Sequence, residues 1–315
     1  MQKINDFKSL SINNDELDLM QLFRILFNGK WYIVIVTSLV SFFVLLFSLS
    51  LPNIYQSKAL IVPVQSSKNI SDSLNNYSGL ASLAGINLPS QNNQNNSIEA
   101  MHKLNSLSFF EDNVLPNIFL PDLMALKSWD NQTNKLSYDE EIFNESDNSW
   151  IRDFSYPGTR IPTAQESYKK FHEKHFSFSE DTKTGFITLS IKHQSPNIAK
   201  EWSELIFREI NSFYRQKDKL NSEQSAEFLI SKIAMTNISE IKEAMAALLQ
   251  QEIQKLTLIE VNQSYVFDYL DPPQIMEQKS EPNRTLILIL GILLGCISGI
   301  LIVLIKHYGF REVNL

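Results

Sequence analysis

The sequence predicts an α+β membrane protein, with two transmembrane helices flanking a large mixed domain that carries one unusually long helix. Three observations lead there. Two 21-residue runs carry no charge: "WYIVIVTSLVSFFVLLFSLSL", Trp31 to Leu51, and "TLILILGILLGCISGILIVLI", Thr285 to Ile305. At about 1.5 Å per residue each reaches roughly 32 Å, enough for a bilayer core of about 30 Å. The 233 residues between them, 52–284, mix strand-like and helix-like patterns. Within that stretch, Lys219 to Ile259 contains neither Pro nor Gly. Buried helices of soluble proteins would show a polar face over such a length, and the two apolar runs show none.

The chain begins with a tail, 1–30. "DELDLMQLFRILFNGK" is dense enough in Leu, Ile and Phe for a helix, which Asp15 can cap. It reads either as an amphipathic helix on a membrane surface or as a continuation of the first span. A cleaved signal peptide is the competing reading of Trp31–Leu51. The four acids in the 30 preceding residues do not suit a basic n-region. Two spans place both tails, 1–30 and 306–315, on one side. Lys and Arg near the spans are balanced: Arg24, Lys30, Lys306 and Arg311 against Lys58, Lys68, Lys279 and Arg284. Over the whole chain the tails are richer in basic residues, which places them in the cytoplasm and the 52–284 domain in the periplasm or outside the cell.

That domain holds 22 bases and 30 acids, a net charge of −8 within a chain total of −7. An acidic domain without a basic stripe argues against nucleic acid. The single cysteine, Cys296, lies in the second run, so no intrachain disulfide and no thiolate metal site is expected.

Along the domain, "PNIYQSKALIVPV" has strand propensity. The Asn-, Gln- and Ser-rich stretch after it, with an apolar island at Gly79 to Ile86 and the tract "QNNQNN" at Gln91 to Asn96, reads as a disordered loop. Ser97 is placed to cap a short helix through Met101 and Leu104. Residues 105–160 look irregular. "TAQESYKKFHEKH" opens on the capping-box pair Thr163 and Glu166 and should be a helix. "GFITLSIKH" alternates Ile187, Leu189 and Ile191 with polar residues, a half-buried strand. Ser195 and Pro196 fit the N-cap and first position of a helix whose apolar face holds Ile198, Trp202, Leu205, Ile206 and Phe213.

From Lys219 to about Ile259, Ile238, Ile241, Met245 and Leu248 step by three, four and three. This predicts one helix of around forty residues, some 60 Å long if straight. It would be a projecting arm, a packed hairpin or a shared oligomer core. "SYVFDYL", Ser264 to Leu270, reads as a returning strand. Then comes "DPPQIMEQKSEPNR", 271–284, stiffened by Pro272, Pro273 and Pro282 just before the second run.

No catalytic constellation is legible. There is no phosphate-binding glycine loop and no nucleophile elbow. His172 and His175 flank Glu173 as HxxH, one residue short of zinc-hydrolase spacing, and read as solvated histidines on a helix. "DEE", Asp139 to Glu141, reads as a solvated loop. No cofactor or metal is expected. The strongest motif is structural: Gly291, Gly295 and Gly299 make GxxxGxxxG on one face of the second run, the pattern that lets transmembrane backbones approach closely.

The tail "DELDL", the entry "GKWYIV", the exit "PNIYQSKALIVP", the long helix and the proline-rich "DPPQIMEQKSEPNR" before a glycine-containing span resemble, in that order, the polysaccharide co-polymerase family, and within it the Wzz-type chain-length determinants. The resemblance implies a bacterial inner-membrane protein with a periplasmic α/β base domain and a long extended helical arm. It further implies a ring-shaped homo-oligomer without enzymatic activity. The implied role is to set how many repeat units a membrane polysaccharide polymerase adds to O-antigen or a related glycan, with a lipid-linked glycan as a further partner. The tail after the second run, with no P-loop and no tyrosine cluster, matches the short branch rather than the kinase-coupled one. Two other classes compete: a two-span sensory receptor with a periplasmic ligand-binding domain, and an enzyme acting on lipid-linked sugars.

Overall fold

In the computed structural model, residues 19–64, 93–262 and 264–309 are described. The chain divides into two compact units, one of residues 1–52 with 282–315 and one of residues 53–281.

The first unit is helical. Helix α1, Leu19–Asn28, is followed by α2, Lys30–Ser50. Gly29 interrupts them, its N–H still bonded to the Ile25 carbonyl at 3.0 Å, so the tail helix nearly continues into the apolar run. Asp15, proposed as its cap, lies outside the described residues. The second apolar run forms the C-terminal helix Arg284–Gly309, α9 in chain order after the six helices that follow here.

The second unit is built on a four-stranded antiparallel sheet ordered β6–β7–β1–β8. Strand β1, Tyr55–Pro63, takes the centre, between β7, Ile187–His193, and β8, Phe267–Asp271. Ala59 faces Leu189 and Ile61 faces Ile187, so the small and β-branched residues of both strands share one buried face. Strand β6, Phe176–Glu180, closes one edge against β7. It is not among the strands expected from the sequence, although Phe176 and Phe178 alternate with Ser177 and Ser179 in the period of a half-buried strand. With β6 on one side and β1 on the other, β7 is more than half-buried: Ser190 is enclosed along with the isoleucines.

The buried sheet face packs on the first part of a long helix. Trp202, Leu205, Ile206 and Ile210 join Ala59, Ile61, Ile187, Leu189 and Ile191 in one core. Aromatic side chains extend it: Phe171 stacks on Phe176 at 5.7 Å between ring centres, and Phe110 sits 5.1 Å from Phe171. Burying a side chain of this size stabilises by about 1.5–3 kcal/mol, so the core rests on this aromatic layer as much as on the sheet.

Helix α3, Asn93–Leu104, starts earlier than expected. Ser97 is inside the helix rather than at its cap, and residues 93–96 of the polar tract are helical, while Gln91, Asn92 and the 79–86 island lie outside the described residues. The helix is held by the side that packs: Ala100 and Leu104 enter the core, and Lys217 reaches Glu99 at 2.7 Å. The 105–160 region is more ordered than it reads. It contains α4, Leu107–Phe109, with Ser106 capping Phe109 N–H, then a π-turn, Phe110–Val114, a 3-10 turn, Leu115–Asn117, and α5, Leu120–Met124. Two short hairpins follow, β2, Leu126–Asp130, with β3, Lys135–Tyr138, and β4, Phe143–Asn144, with β5, Ser149–Trp150. Turn chemistry explains the first: Asp130 accepts from Gln132 N–H, and Asn134 takes the left-handed conformation its short polar side chain tolerates.

Helix α6, Ala164–Lys170, carries the reciprocal capping box of Thr163 and Glu166, and a π-turn, Phe171–His175, leads into β6. Helix α7, Pro196–Met235, begins at the Ser195–Pro196 pair. The single helix expected over 219–259 is not present. The chain stays helical through Met235, breaks at Thr236–Ile238, and turns back as α8, Ser239–Val261. Thr236 and Ile238, both β-branched, and Asn237 make a weak helical stretch, and all three favour extended or turn backbone. The return is antiparallel: Lys219 pairs with Glu260 at 3.1 Å, and Leu229 packs with Met245 and Leu248 in a small core of its own. Of the stepped apolar residues, Ile241, Met245 and Leu248 belong to α8 and face α7, while Ile238 lies exposed in the break.

Candidate functional site: a glycine-faced helix pair and a pinned proline segment

Helices α2 and α9 lie antiparallel against one another, and glycines set how closely. A Cβ on Gly291 would stand 2.7 Å from Val44 Cγ1; on Gly295, 3.0 Å from Thr37 Cα; on Gly299, 3.0 Å from Ile33 Cα. Gly29, which the sequence reading passed over, closes the same seam from the other helix, with Val303 Cγ1 2.5 Å from where its Cβ would be. At Gly291 and Gly29 a Cβ would come closer than real Cβ atoms do, and at Gly295 and Gly299 it would press on backbone that must give by a few tenths of an ångström, so these four glycines permit the close interhelical spacing. The hydroxyls of Thr37, Ser41 and Ser48 are enclosed and have no hydrogen-bond partner among the described residues. At one end Lys306 donates to the Tyr32 hydroxyl at 2.7 Å and lies 4.0 Å over its ring. The outer faces are apolar and exposed: Val34, Ile35, Leu39, Phe42 and Phe43 on α2, and Ile289, Leu290, Leu293, Leu294 and Ile297 on α9. Both helices are long and apolar enough to cross a bilayer.

The proline segment is extended, and it is tied down rather than free. Pro272 and Pro273 belong to the unit of residues 53–281, and Pro282 opens the return into the other. Pro273 is buried. The carbonyl of Gln274 accepts from the buried Ser57 hydroxyl at 3.0 Å. Ile54 exchanges backbone bonds with Ser280 and Glu281, at 2.8 and 2.9 Å, and Glu281 pairs with Lys192 of β7 at 2.5 Å. The segment therefore runs beside the entry to the central strand, and the two chain ends of this unit are joined side by side.

Two further constellations escaped the sequence reading. Asn211, buried in α7, has an Oδ1 that accepts three successive backbone N–H groups, from Tyr265, Val266 and Phe267, at 2.9, 2.8 and 3.0 Å. Its Nδ2 donates to the Phe207 carbonyl. One amide thus fixes the chain where it leaves α8 and enters β8. Nothing in "REINSFY" marks that Asn, since its partners lie over fifty residues away.

His172 and His175 are not the solvated pair the spacing suggested. The π-turn rotates both into the aromatic layer. His172 lies 4.1 Å from Tyr168 and 5.1 Å from Phe176. His175 and His193 sit 5.6 Å apart, ring centre to ring centre, and both lean on Trp202. His193 accepts from Ser195 N–H through Nδ1, which leaves Nε2–H to donate to the Asp122 carbonyl. Burial holds all three rings neutral, pushing His175 down to about 4 and His193 to about 3, with His172 also lowered. Burial raises the Asp122 carboxyl, against the Tyr138 hydroxyl that donates to it at 2.6 Å. His175 and His193 are packing groups tied to backbone atoms, whereas both ring nitrogens of His172 are enclosed without a hydrogen-bond partner among the described residues. Among the described residues no three His, Cys, Asp or Glu converge as a metal site.

Residues 15–108, covering α1, α2, β1 and α3, match the family described as Wzz, chain length determinant protein. The resemblance to that class is thereby shown over this segment. No curated protein matches the chain. Among solved structures, one described as a full-length bacterial polysaccharide co-polymerase is similar at a TM-score of 0.42 and 14% identity, over 94% of this chain and 99% of that one. A fragment of WzzB, polysaccharide co-polymerase from Salmonella Typhimurium, is similar at 0.31 and 15% identity, over 73% of this chain and 100% of that one.

Proposed function

We propose that this protein regulates the chain length of O-antigen or a related surface polysaccharide. In this reading α2 and α9 cross the bacterial inner membrane as an antiparallel pair, both tails are cytoplasmic, and residues 53–281 stand in the periplasm. The protein acts without chemistry of its own, as a homo-oligomeric scaffold on a membrane polysaccharide polymerase, with the lipid-linked glycan within reach. The observation that carries this is the Wzz match over 15–108, which spans the first apolar helix and the central strand together. The glycine seam supports the membrane part: it presents small residues inward and large apolar residues outward, the arrangement a helix pair needs in lipid.

In the same reading the segment of Pro272, Pro273 and Pro282 is a stiff joint between the sheet domain and the second span. Deleting the gene and resolving surface polysaccharide on a gel tests the function directly. The expected result is a shifted or broadened ladder, restored by the intact gene. An unchanged ladder overturns the proposal.

A further inference from the structure

A groove of about 640 Å³ opens beside α7, its lining including Phe207, Arg208, Glu209, Arg215, Ser264 and Tyr269. This volume falls in the range of about 300–1,000 Å³ usual for small-molecule sites. Its floor is a ring pair: Phe207 and Tyr269 stack with centres 3.6 Å apart and planes 21° from parallel. Arg208 and Arg215 stand seven residues apart on α7, so they repeat on one face about 10.5 Å apart along the axis. Arg208 is neutralised locally, its Nε held 3.2 Å from Glu209. Arg215 is half-buried and has no ion pair or hydrogen bond among the described residues. A guanidinium that lines a groove and is unmatched by any carboxylate can be matched by an oxyanion from outside. Beside it are the Ser212 hydroxyl, which accepts from Gln216 and keeps its own proton to donate, the Ser264 hydroxyl, which donates to Asp268 at 2.8 Å, and the flat apolar surface of two aromatic rings, which suit the polar rim and apolar face of a sugar.

We propose that this groove binds a saccharide bearing one negative charge, a carboxylate or a phosphate, with its oxyanion on Arg215 and its ring against the Phe207–Tyr269 pair. The assignment of the ligand as a glycan rests on the function proposed above, and the charge rests on Arg215. One surplus cation implies one anionic group at the site rather than a polyanion.

The test uses full-length protein in nanodiscs and three probes: a tetrasaccharide containing glucuronic acid, glucose 1-phosphate, and neutral maltotetraose. Calorimetry should show binding of at least one anionic probe and weaker binding of maltotetraose. The better anionic probe tells carboxylate from phosphate. Arg215→Gln should lower anionic affinity about tenfold to a hundredfold, the usual effect of losing a charge-assisted hydrogen bond. Arg215→Lys should retain part of it, and unchanged particle size on gel filtration should show that both variants remain assembled. Equal binding of neutral and anionic probes, no binding at all, or an Arg215→Gln effect on particle size without one on sugar affinity overturns the site. Loss of binding to every probe with a ladder that still shifts on gene deletion removes the site and keeps the function. Anionic binding with an unaltered ladder does the reverse.

Discussion

Asn211 Oδ1 accepts the Val266 N–H at 2.8 Å, midway in a run of three consecutive amides that all end on that one oxygen. Asn211→Leu would fill the space and leave three buried donors without an acceptor, each costing about 1–3 kcal/mol. The expected outcome is a loss above about 3 kcal/mol by urea denaturation, with the strand Phe267–Asp271 losing hydrogen-exchange protection first. Asn211→Asp keeps the acceptor and should retain most of the stability, which separates the amide nest from simple packing.

The glycine seam makes a prediction that distinguishes its members. Gly291→Ala meets a side chain, Val44, whereas Gly295→Ala meets the backbone of Thr37. Each should destabilise detergent-purified protein by about 1–3 kcal/mol through overpacking. Val44→Gly should largely rescue Gly291→Ala, because it moves the gap to the other helix. Thr37→Gly should not rescue Gly295→Ala. Thermal unfolding of the four variants and the two double variants measures the coupling.

Stability should fall on mild acidification. Burial lowers His175 and His193 in the folded chain to about 4 and 3, below the ordinary histidine value of about 6.5. Lys170 and Lys174 beside His175 add to its shift. The unfolded chain takes up these protons first, so the contribution of both rings is complete above about pH 6.5 and is lost as the pH falls toward 4. Asp122, raised by burial, works the other way: the folded chain takes up its proton before the unfolded chain does, which offsets part of the histidine effect. Urea midpoints at pH 7.5, 6 and 5 should decline in that order. His193→Gln, less stable at pH 7.5, should show a shallower decline, and a pH-independent wild-type midpoint would remove the buried neutral histidines from the account.

The prolines are tested in cells. Replacing Pro272, Pro273 and Pro282 together with Gly or Ser should alter polysaccharide length while leaving the protein in the membrane fraction. Because Ser57, Ile54 and Lys192 also hold this segment, Lys192→Gln combined with the proline changes should widen the effect. Unaltered lengths would reduce the prolines to a helix stop before α9.

What the sequence made legible was local. The apolar runs, the Ser195–Pro196 start, the Thr163–Glu166 box and the alternation of Ile187, Leu189 and Ile191 are each decided within a few residues. What it hid depends on distant partners. The break at Thr236–Ile238 carries no Gly or Pro and becomes a turn only because Leu229, Met245 and Leu248 reward folding back. His172 and His175 look solvated until a π-turn changes which way their side of the helix faces. Asn211 carries no local signal, and α3 is helical through a polar tract because Ala100, Leu104 and Glu99 find partners far along the chain. The edge strand Phe176–Glu180 is legible in its Phe–Ser alternation, a signal the sequence reading passed over.

The order of the sheet has a consequence for biogenesis. Its central strand is made first, yet its neighbours, residues 187–193 and 267–271, are made much later and last. Only the hairpin of Phe176–Glu180 with Ile187–His193 can pair locally. The entropy of closing such long loops must be met before the pairings stabilise anything. A chain still being synthesised therefore holds its first strand unpaired on both edges until Ile187–His193 emerges and on one edge until Phe267–Asp271 does, a species prone to aggregation.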